Sequence, residues 1–376
     1  MQLANNQEAF LALVKAGLWE IEARLLPYGD IEFEKVYELA EEQSVVGLVA
    51  AGLEHVVDVK APQEIVLQIA GEALLLEQQN LEMNHFVEEL IQSLRKADIY
   101  TLLVKGQGIA QCYERPLWRA NGDIDLYLSE TNYKKAQSFL TPKAQYVDSE
   151  LYGEQHIAMH IDGWIVELHG AMPTRLIKRI DKVLEKLQYK TFCWGEVRTW
   201  RNGSTMVFLP SPDNDVLFVF THILKHFYRG GIGLRQICDW CRLMWTYRDT
   251  INHKLLESRI KEMGLMTEWK AFAALAVEHL GMPVEAMPLF NEDDNKNHNL
   301  HRKAELILEF VLESGNFGYN RDTSYYSNRP YVIRKALSLK QHTIDGIHHF
   351  RVFPLDSIRI WCRILKGGLK AVVQRR

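Results

Sequence analysis

The hydrophobic period of the chain changes abruptly near residue 98, and that change restricts the possible folds more than any other feature. From Gln63 to Ala97 the sequence is rich in Leu, Glu and Gln, with no Gly or Pro except Gly71. Such a run predicts one long helix, or two that abut. Directly after it, Ile99-Tyr100-Thr101-Leu102-Leu103-Val104 is a β-branched and aromatic stretch of strand length. A strand following a long helix marks entry into an α/β unit.

The flanks of this transition extend the pattern. Residues 1–60 show helical periodicity, with Phe10, Leu13, Val14 and Leu18 on one stripe. After Val104 come a Lys105-Gly106 turn, a short helix over Gly108–Tyr113, a polar loop with Pro116, a strand over Ile124–Leu128 and a helix over Thr131–Leu140. The runs 156–161 and 164–169 flank Asp162-Gly163, a two-residue hairpin signal. Residues 190–209 read as further short strands, with turns at Gly195 and Asn202-Gly203. Pro210-Ser211-Pro212 marks a boundary, and the remainder reads as helical. Asp213 is a plausible N-cap for a helix reaching Tyr228. Gly230, Gly231 and Gly233 interrupt it before Leu234–Tyr247, and helical patterns follow at 252–264, 267–280 and 300–314. The stretch 315–335 reads as an ordered loop, and 342–376 ends in basic helical sequence. The expected fold class is α+β (mixed α/β): a helical region over 1–97, a small mixed-sheet core over 98–210 and a helical domain over 211–376.

Composition bounds the partners and the compartment. With 44 Lys+Arg against 48 Asp+Glu the formal net charge is -4. A protein that coats nucleic acid is normally basic, so nucleic acid is disfavoured as a partner. No window offers about 18 uncharged apolar residues, so no membrane span is expected. The N-terminal sequence lacks the basic and apolar regions of a secretory leader. Cysteines number 5, sparse and odd, which argues against a disulfide scaffold and for a reducing cytoplasm. Cys238-Asp239-Trp240-Cys241 matches C-x-x-C, but its flanks read as an amphipathic helix, so buried structural thiols are expected. No second such pair is present to complete a zinc site.

The chemistry lies between Thr101 and Leu128. Asp123 and Asp125 are one residue apart on a predicted strand, so both carboxylates project from the same face. Ile124, Leu126 and Leu128 point to the other face, where a core can hold them. Two acids side by side on an apolar strand repel each other and resist burial. A divalent cation removes both problems, because carboxylate oxygens suit Mg2+, which also accepts phosphate oxygens as ligands. Taken alone, the pair reads more simply as an exposed strand end. Two further features reverse that reading. Lys105-Gly106 opens a short helix, and glycine there lets a phosphate approach backbone N–H groups. Lys105 adds charge, and Gly108 is a weaker candidate for the same role. Glu167, on the second arm of the hairpin, faces away from Val166 and Leu168 and shares its face with Ile165 and His169. A third carboxylate on a neighbouring strand completes a two-metal cluster of the kind used for in-line phosphoryl displacement.

A strand, a glycine turn, a short helix, then Gly122-Asp123-Ile124-Asp125 on the next strand and a third acid on a later one resembles the DNA polymerase β-like nucleotidyltransferase superfamily. Lys-Gly in place of the more usual Gly-Ser, Arg119 ahead of the acid pair, and Glu167-Leu168-His169 are similar to a poorly characterised bacterial nucleotidyltransferase family. The matching positions are Lys105, Gly106, Tyr113, Arg119, Gly122, Asp123, Asp125, Glu167 and His169. His222–His226, the glycine turn into Leu234-Arg235, and Asp239 also match. The resemblance implies a nucleotidyltransferase core in which Asp123 and Asp125 hold two Mg2+ (or Mn2+) ions on a nucleoside triphosphate (NTP). Glu167 would bind the catalytic metal and help deprotonate an acceptor. Lys105 or Arg119 would neutralise the leaving pyrophosphate, with Gly106, Gly122 and His169 completing the nucleotide site. The third acid is commonly Asp, and Glu167 is one methylene longer.

The other candidates have plainer readings beside the functional ones. His169, next to a glycine, has the setting of a packed, hydrogen-bonded histidine. His222 and His226 have an i,i+4 spacing that zinc can use, but Ile, Leu and Lys between them lack a metalloprotease Glu, so the structural reading is preferred. Arg235 and Asp239, also i,i+4, are expected to pair with each other. The basic C-terminal end reads as a solvated helix end, and the aromatic loop from Phe317 to Tyr331 is a candidate cover for the cleft. A rival reading is a catalytically silent nucleotide-binding or interaction protein on the same fold. The presence of all three acids argues against it. Near-neutral charge favours a small molecule, a sugar or a protein as the unknown acceptor.

Overall fold

The computed structural model describes residues 4–148, 155–320 and 330–373. Three helices, α1 (Asn5–Trp19), α2 (Phe33–Glu42) and α3 (Val46–Glu54), precede a single unbroken helix, α4 (Gln63–Lys96). After Lys96 and the capping Ala97, Asp98 lies in the left-handed region, and Ile99 N–H still bonds back to Leu94 O in the last turn of α4 at 3.0 Å. That bond delays the strand, so β1 covers only Leu102–Val104 of the expected 99–104. Helix α5 (Gly106–Ala110) begins and ends earlier than the spacing predicts. Strand β2 (Ile124–Tyr127), helix α6 (Glu130–Leu140), strand β3 (Tyr146–Val147) and the hairpin β4 (His156–Ile161) and β5 (Trp164–His169) complete the sheet.

The sheet order is β1-β2-β5-β4-β3. Only β2 and β5 run parallel to each other; the other neighbours are antiparallel. The parallel register sets Asp125 directly opposite Glu167 and Tyr127 opposite His169. One face of the sheet buries Ile124, Leu126, Leu128, Val166 and Leu168 against Met83, Val87 and Leu94 of α4 and Tyr133 and Leu140 of α6. Burial of this alternating apolar set leaves the acidic set on the opposite face. The mixed sheet with helical regions on both sides is an α+β fold.

The expectation of short strands throughout 190–209 is corrected. Ile180, Val183, Leu184, Leu187 and Thr191 recur at helical spacing and are buried, so α7 (Lys178–Trp194) continues past 190. Gly195, at φ 67°, caps that helix in the left-handed region instead of turning a hairpin. The remaining stretch forms the separate hairpin β6 (Val197–Asn202) and β7 (Thr205–Pro210).

Helix α8 (Pro212–Arg229) follows, with Pro212 at its first position and Ser211, not Asp213, at the N-cap position. The Asp213 carboxylate instead accepts from the Asn252 N–H at 2.7 Å, which ties α8 to the start of a later helix. Next come α9 (Leu234–Thr246), α10 (His253–Met263), α11 (Met266–Leu280), the short α12 (Glu292–Asn295) and α13 (His298–Ser314). The aromatic centre of this half is Phe220, Phe227, Trp240, Trp269 and Phe272, all fully buried in a cluster that also holds side chains of α1. The end of the stretch expected as a loop over 315–335 is helical, because Pro330 precedes α14 (Tyr331–Val352). Residues 321–329 of that loop lie outside the described residues. The expected basic terminal helix is two helices, broken where Pro354 opens α15 (Pro354–Val373) and removes a backbone donor. Among the described residues, no helix is long and apolar enough to cross a membrane.

Candidate active site

Lys105 sits at the end of β1 with φ 57° and ψ -144°, and Gly106 follows at φ 38°. A positive φ on a non-glycine residue costs on the order of 1 kcal/mol. Here the strained turn aims Lys105 across the sheet, where its Nζ donates to Asp125 Oδ1 at 2.8 Å. The pair is well buried, with side-chain exposures of 17% and 1%. Asp123 precedes β2 on the same face. Ligand oxygens of Asp123, Asp125 and Glu167 all lie within 4.8 Å of one another.

Two histidines brace the acids. His169 Nε2 lies 2.7 Å from Asp125 Oδ1 and 3.3 Å from Glu167 Oε2. His156 Nε2 lies 3.0 Å from the same Glu167 oxygen. The two imidazoles stack, with centroids 4.7 Å apart. His156, Glu167 and His169 form a second convergent donor set that shares Glu167 with the carboxylate trio.

Each group is shifted for an identifiable reason. The charge of Asp125 beside it pushes Asp123 up to about 6, although Asp123 itself is exposed at the cleft. Burial also works against ionised Asp125, but Lys105 and His169 outweigh it and hold the carboxyl below its ordinary range. Glu167 is likewise held well below that range despite burial, by hydrogen bonds from His156 and His169. The same contacts overcome burial to raise His169, and burial of Lys105 is overcome chiefly by Asp125. Lys105 and protonated His169 therefore supply positive charge against Asp125 within the protein itself.

The opposite wall comes from α8 and α9. His222 and His226 meet Nε2 to Nε2 at 3.0 Å, one ring donating to the other. Burial pushes both down, His222 far below its ordinary value and His226 to about 3, so both are neutral near pH 7. Burial followed by the charge of Lys105 lowers Lys225, and burial followed by Arg175 lowers Arg229. The expected pairing of Arg235 with Asp239 does not form. Asp239 is taken by Arg119, which donates to both carboxylate oxygens at 2.7 Å, and by the Tyr113 hydroxyl at 2.8 Å. Arg235 turns instead to the carbonyls of Ala120 and Asn121 at 3.1 and 3.2 Å. A helix face cannot keep an i,i+4 pair when a better-matched bidentate partner arrives from another element.

Lys105, Gly106, Arg119, Gly122, Asp123, Asp125, Glu167 and His169 all line one cleft of about 340 Å³, together with His222 and His226. Cys238 and Cys241 are free, buried thiols on α9, held in their neutral form by burial.

The uncharacterised nucleotidyltransferase family matches residues 29–281. The chain belongs to that family. The match spans the whole sheet, helices α8 and α9 that form the opposite wall of the cleft, and the other helices from α2 through α11. No curated protein and no solved structure matches the chain significantly.

Three residues of this cleft that later carry weight were not singled out in the sequence: His156, Lys225 and Arg229. His156 was recoverable. A two-residue turn at Asp162-Gly163 pairs Ile161 with Trp164, and counting back along the hairpin puts His156 opposite His169. Lys225 lies between His222 and His226 on the same turn of α8, but no local pattern tells a cleft-lining lysine from a solvated one. Arg229, in the last turn of α8, reads equally as an ordinary basic helix end. Phe317 lines the cleft from the loop that was expected to cover it.

Proposed function

We propose that this chain moves a nucleoside monophosphate from an NTP to a hydroxyl or phosphate acceptor, releasing pyrophosphate, on a core of the DNA polymerase β-like type. One observation carries the reading: carboxylate oxygens of Asp123, Asp125 and Glu167 converge within 4.8 Å on the floor of a cleft whose other wall bears Lys225 and Arg229. Three oxygen donors suit a hard cation, Mg2+ or Mn2+. The raised Asp123 supports the same fit, since its repulsion from Asp125 is what a bound cation relieves. Held by these three residues, such ions would supply Lewis-acid stabilisation of the reacting phosphate and lower the pKa of the acceptor hydroxyl.

The protein's own groups have distinct tasks. Lys105 keeps Asp125 ionised and stands where the backbone turns into α5. Lys225 and Arg229 bring positive charge to the polyphosphate, whose arrival offsets the repulsion among the wall cations. Arg119 is committed to Asp239 and also donates to the Ala120 carbonyl at 3.1 Å. Its task is to hold the loop ahead of Asp123 rather than to meet pyrophosphate. Glu167, kept far below the usual carboxylate range, is a poor base. Its role is that of a ligand, and the acceptor proton leaves to water. The acceptor oxygen bonds to the α-phosphorus as the bridging bond to the β-phosphate breaks, and pyrophosphate departs with the electron pair. The near-neutral charge of -4 favours a small molecule, sugar or protein acceptor over a polynucleotide.

A catalytically silent nucleotide-binding protein is the second reading. It draws on Lys105 and His169, which already neutralise Asp125 in the absence of an ion. An acceptor screen with labelled NTPs and Mg2+ or Mn2+ separates the two readings. Wild type should form labelled product and Asp123→Asn/Asp125→Asn should not. NTP binding and thermal shift that are unchanged in the double variant would refute the metal-dependent site.

A further inference from the structure

Phe317 occupies the turn Asn316–Gly318, with φ 53° and ψ 26°, and its ring lines the cleft while remaining 48% exposed. A half-exposed aromatic residue on a left-handed backbone gains little from packing, so something must hold it there. Side chains from two distant elements do. Asn316 Nδ2 donates to Ser44 Oγ at 2.7 Å, and Gln236 Nε2 donates to Asn316 Oδ1 at 2.7 Å. Asn320 Nδ2 reaches Glu42 Oε2 at 2.9 Å.

The glycine turn between α8 and α9 is shaped to receive this loop. A Cβ on Gly231 would stand 2.9 Å from Gly318 N, and one on Gly233 would stand 2.8 Å from Asn316 Cβ. Neither position tolerates a side chain without displacing the loop.

The ring's neighbours place it within the site. The His226 imidazole meets it edge-on at 4.7 Å, and the Arg235 guanidinium lies 5.7 Å from its centroid. His226 feels the charges of both Lys105 and Asp125. Arg235 is hydrogen-bonded to the carbonyls of Ala120 and Asn121, just ahead of Asp123. The exposed ring is thus tied to the acid-bearing loop through one residue and to the polyphosphate wall through another.

We propose that Phe317 is the platform on which the nucleobase of the bound NTP stacks, an inference that rests on the nucleotidyltransferase reading of the same cleft. Stacking on an aromatic face accepts every base. The larger face of a purine overlaps the ring more fully, so purine triphosphates bind more tightly than pyrimidine ones.

Calorimetric titration of the full chain with Mg2+–ATP and with Mg2+–tripolyphosphate tests this, since tripolyphosphate has the charge but no base. Phe317→Leu keeps an apolar side chain of similar bulk and removes the π face. It should weaken ATP roughly 10-fold, the loss typical of one base–aromatic stack, and leave tripolyphosphate unchanged. Phe317→Trp should retain ATP affinity, and an unaltered melting temperature in both variants shows that the loop is intact. Equal weakening of both ligands, or unchanged ATP affinity in Phe317→Leu, overturns the proposal and leaves the nucleotidyltransferase reading standing. Wild-type protein that binds neither ligand overturns both.

Discussion

The buried pair formed by Arg119 and Asp239 offers a quantitative test of how the site is held. Both N–O distances are 2.7 Å, and both side chains are almost fully removed from solvent. Coulomb's law for unit charges about 4 Å apart, at an effective dielectric near 20, gives roughly 4 kcal/mol of attraction. Asp239→Leu removes the anion and leaves Arg119 buried without a counter-charge. Arg235, already lowered by burial and then by Arg119, loses a compensating carboxylate in the same step. Breaking one partner of a buried pair costs about 3–5 kcal/mol, and that is the expected loss in urea-induced unfolding. At on the order of 2 °C per kcal/mol for a chain of this size, the melting temperature should fall by about 6–10 °C. Arg119→Leu/Asp239→Leu should recover most of the loss, because the orphaned Arg119 charge is gone and with it the larger repulsion it exerts on Arg235, and only the Tyr113 hydroxyl loses its acceptor. A single-variant loss below about 1 kcal/mol, the range of exposed pairs, would refute the view that this pair is desolvated. A double variant no better than the single one would refute the view that the orphaned charge causes the loss.

Three other outcomes follow from the shifted groups. Asp123 sits near 6 because of Asp125, so Mn2+ affinity should rise as pH increases through 6; in Asp123→Asn, calorimetry across pH 5–7.5 should show a weaker and flatter profile. Burial and then Asp356 push Glu268 up to about 7, so the folded state holds that proton more tightly than the unfolded chain does. Its stabilising effect is full below the unfolded value near 4.5 and is lost as pH rises through 7, and Glu268→Gln should gain on the order of 3 kcal/mol at pH 8 relative to wild type; an unchanged pH slope of unfolding would count against this. Brief alkylation of native protein followed by mass spectrometry should label the exposed Cys193 and Cys362 and spare Cys112, Cys238 and Cys241, with labelling of all five sites expected only after unfolding.

Much of the architecture was legible because its signals are local. A run with a single glycine and no proline marked α4, alternation around Asp123 and Asp125 marked β2, and Asp162-Gly163 marked the hairpin. Local reading failed where one signal had two meanings. Gly195 serves equally as a turn residue or a helix cap, and only the buried stripe from Ile180 to Thr191 makes it a cap. Arg235 and Asp239 had the right spacing to pair, but a guanidinium from a distant loop matched the carboxylate better.

By itself the sequence determined which side chains share a face, because strand alternation and helical repeat are properties of the backbone within a few residues. Asp123 and Asp125 had to project together, and Glu167 had to accompany His169. The tertiary structure decided which faces meet. Parallel pairing of β2 with β5 sets Asp125 beside Glu167, and burial of the sheet's apolar face against α4 and α6 turns both toward the cleft. The loop pinned by Ser44, Glu42 and Gln236 then brings Phe317 to the same opening. Those meetings depend on burying distant apolar surfaces together, and no local period encodes that choice.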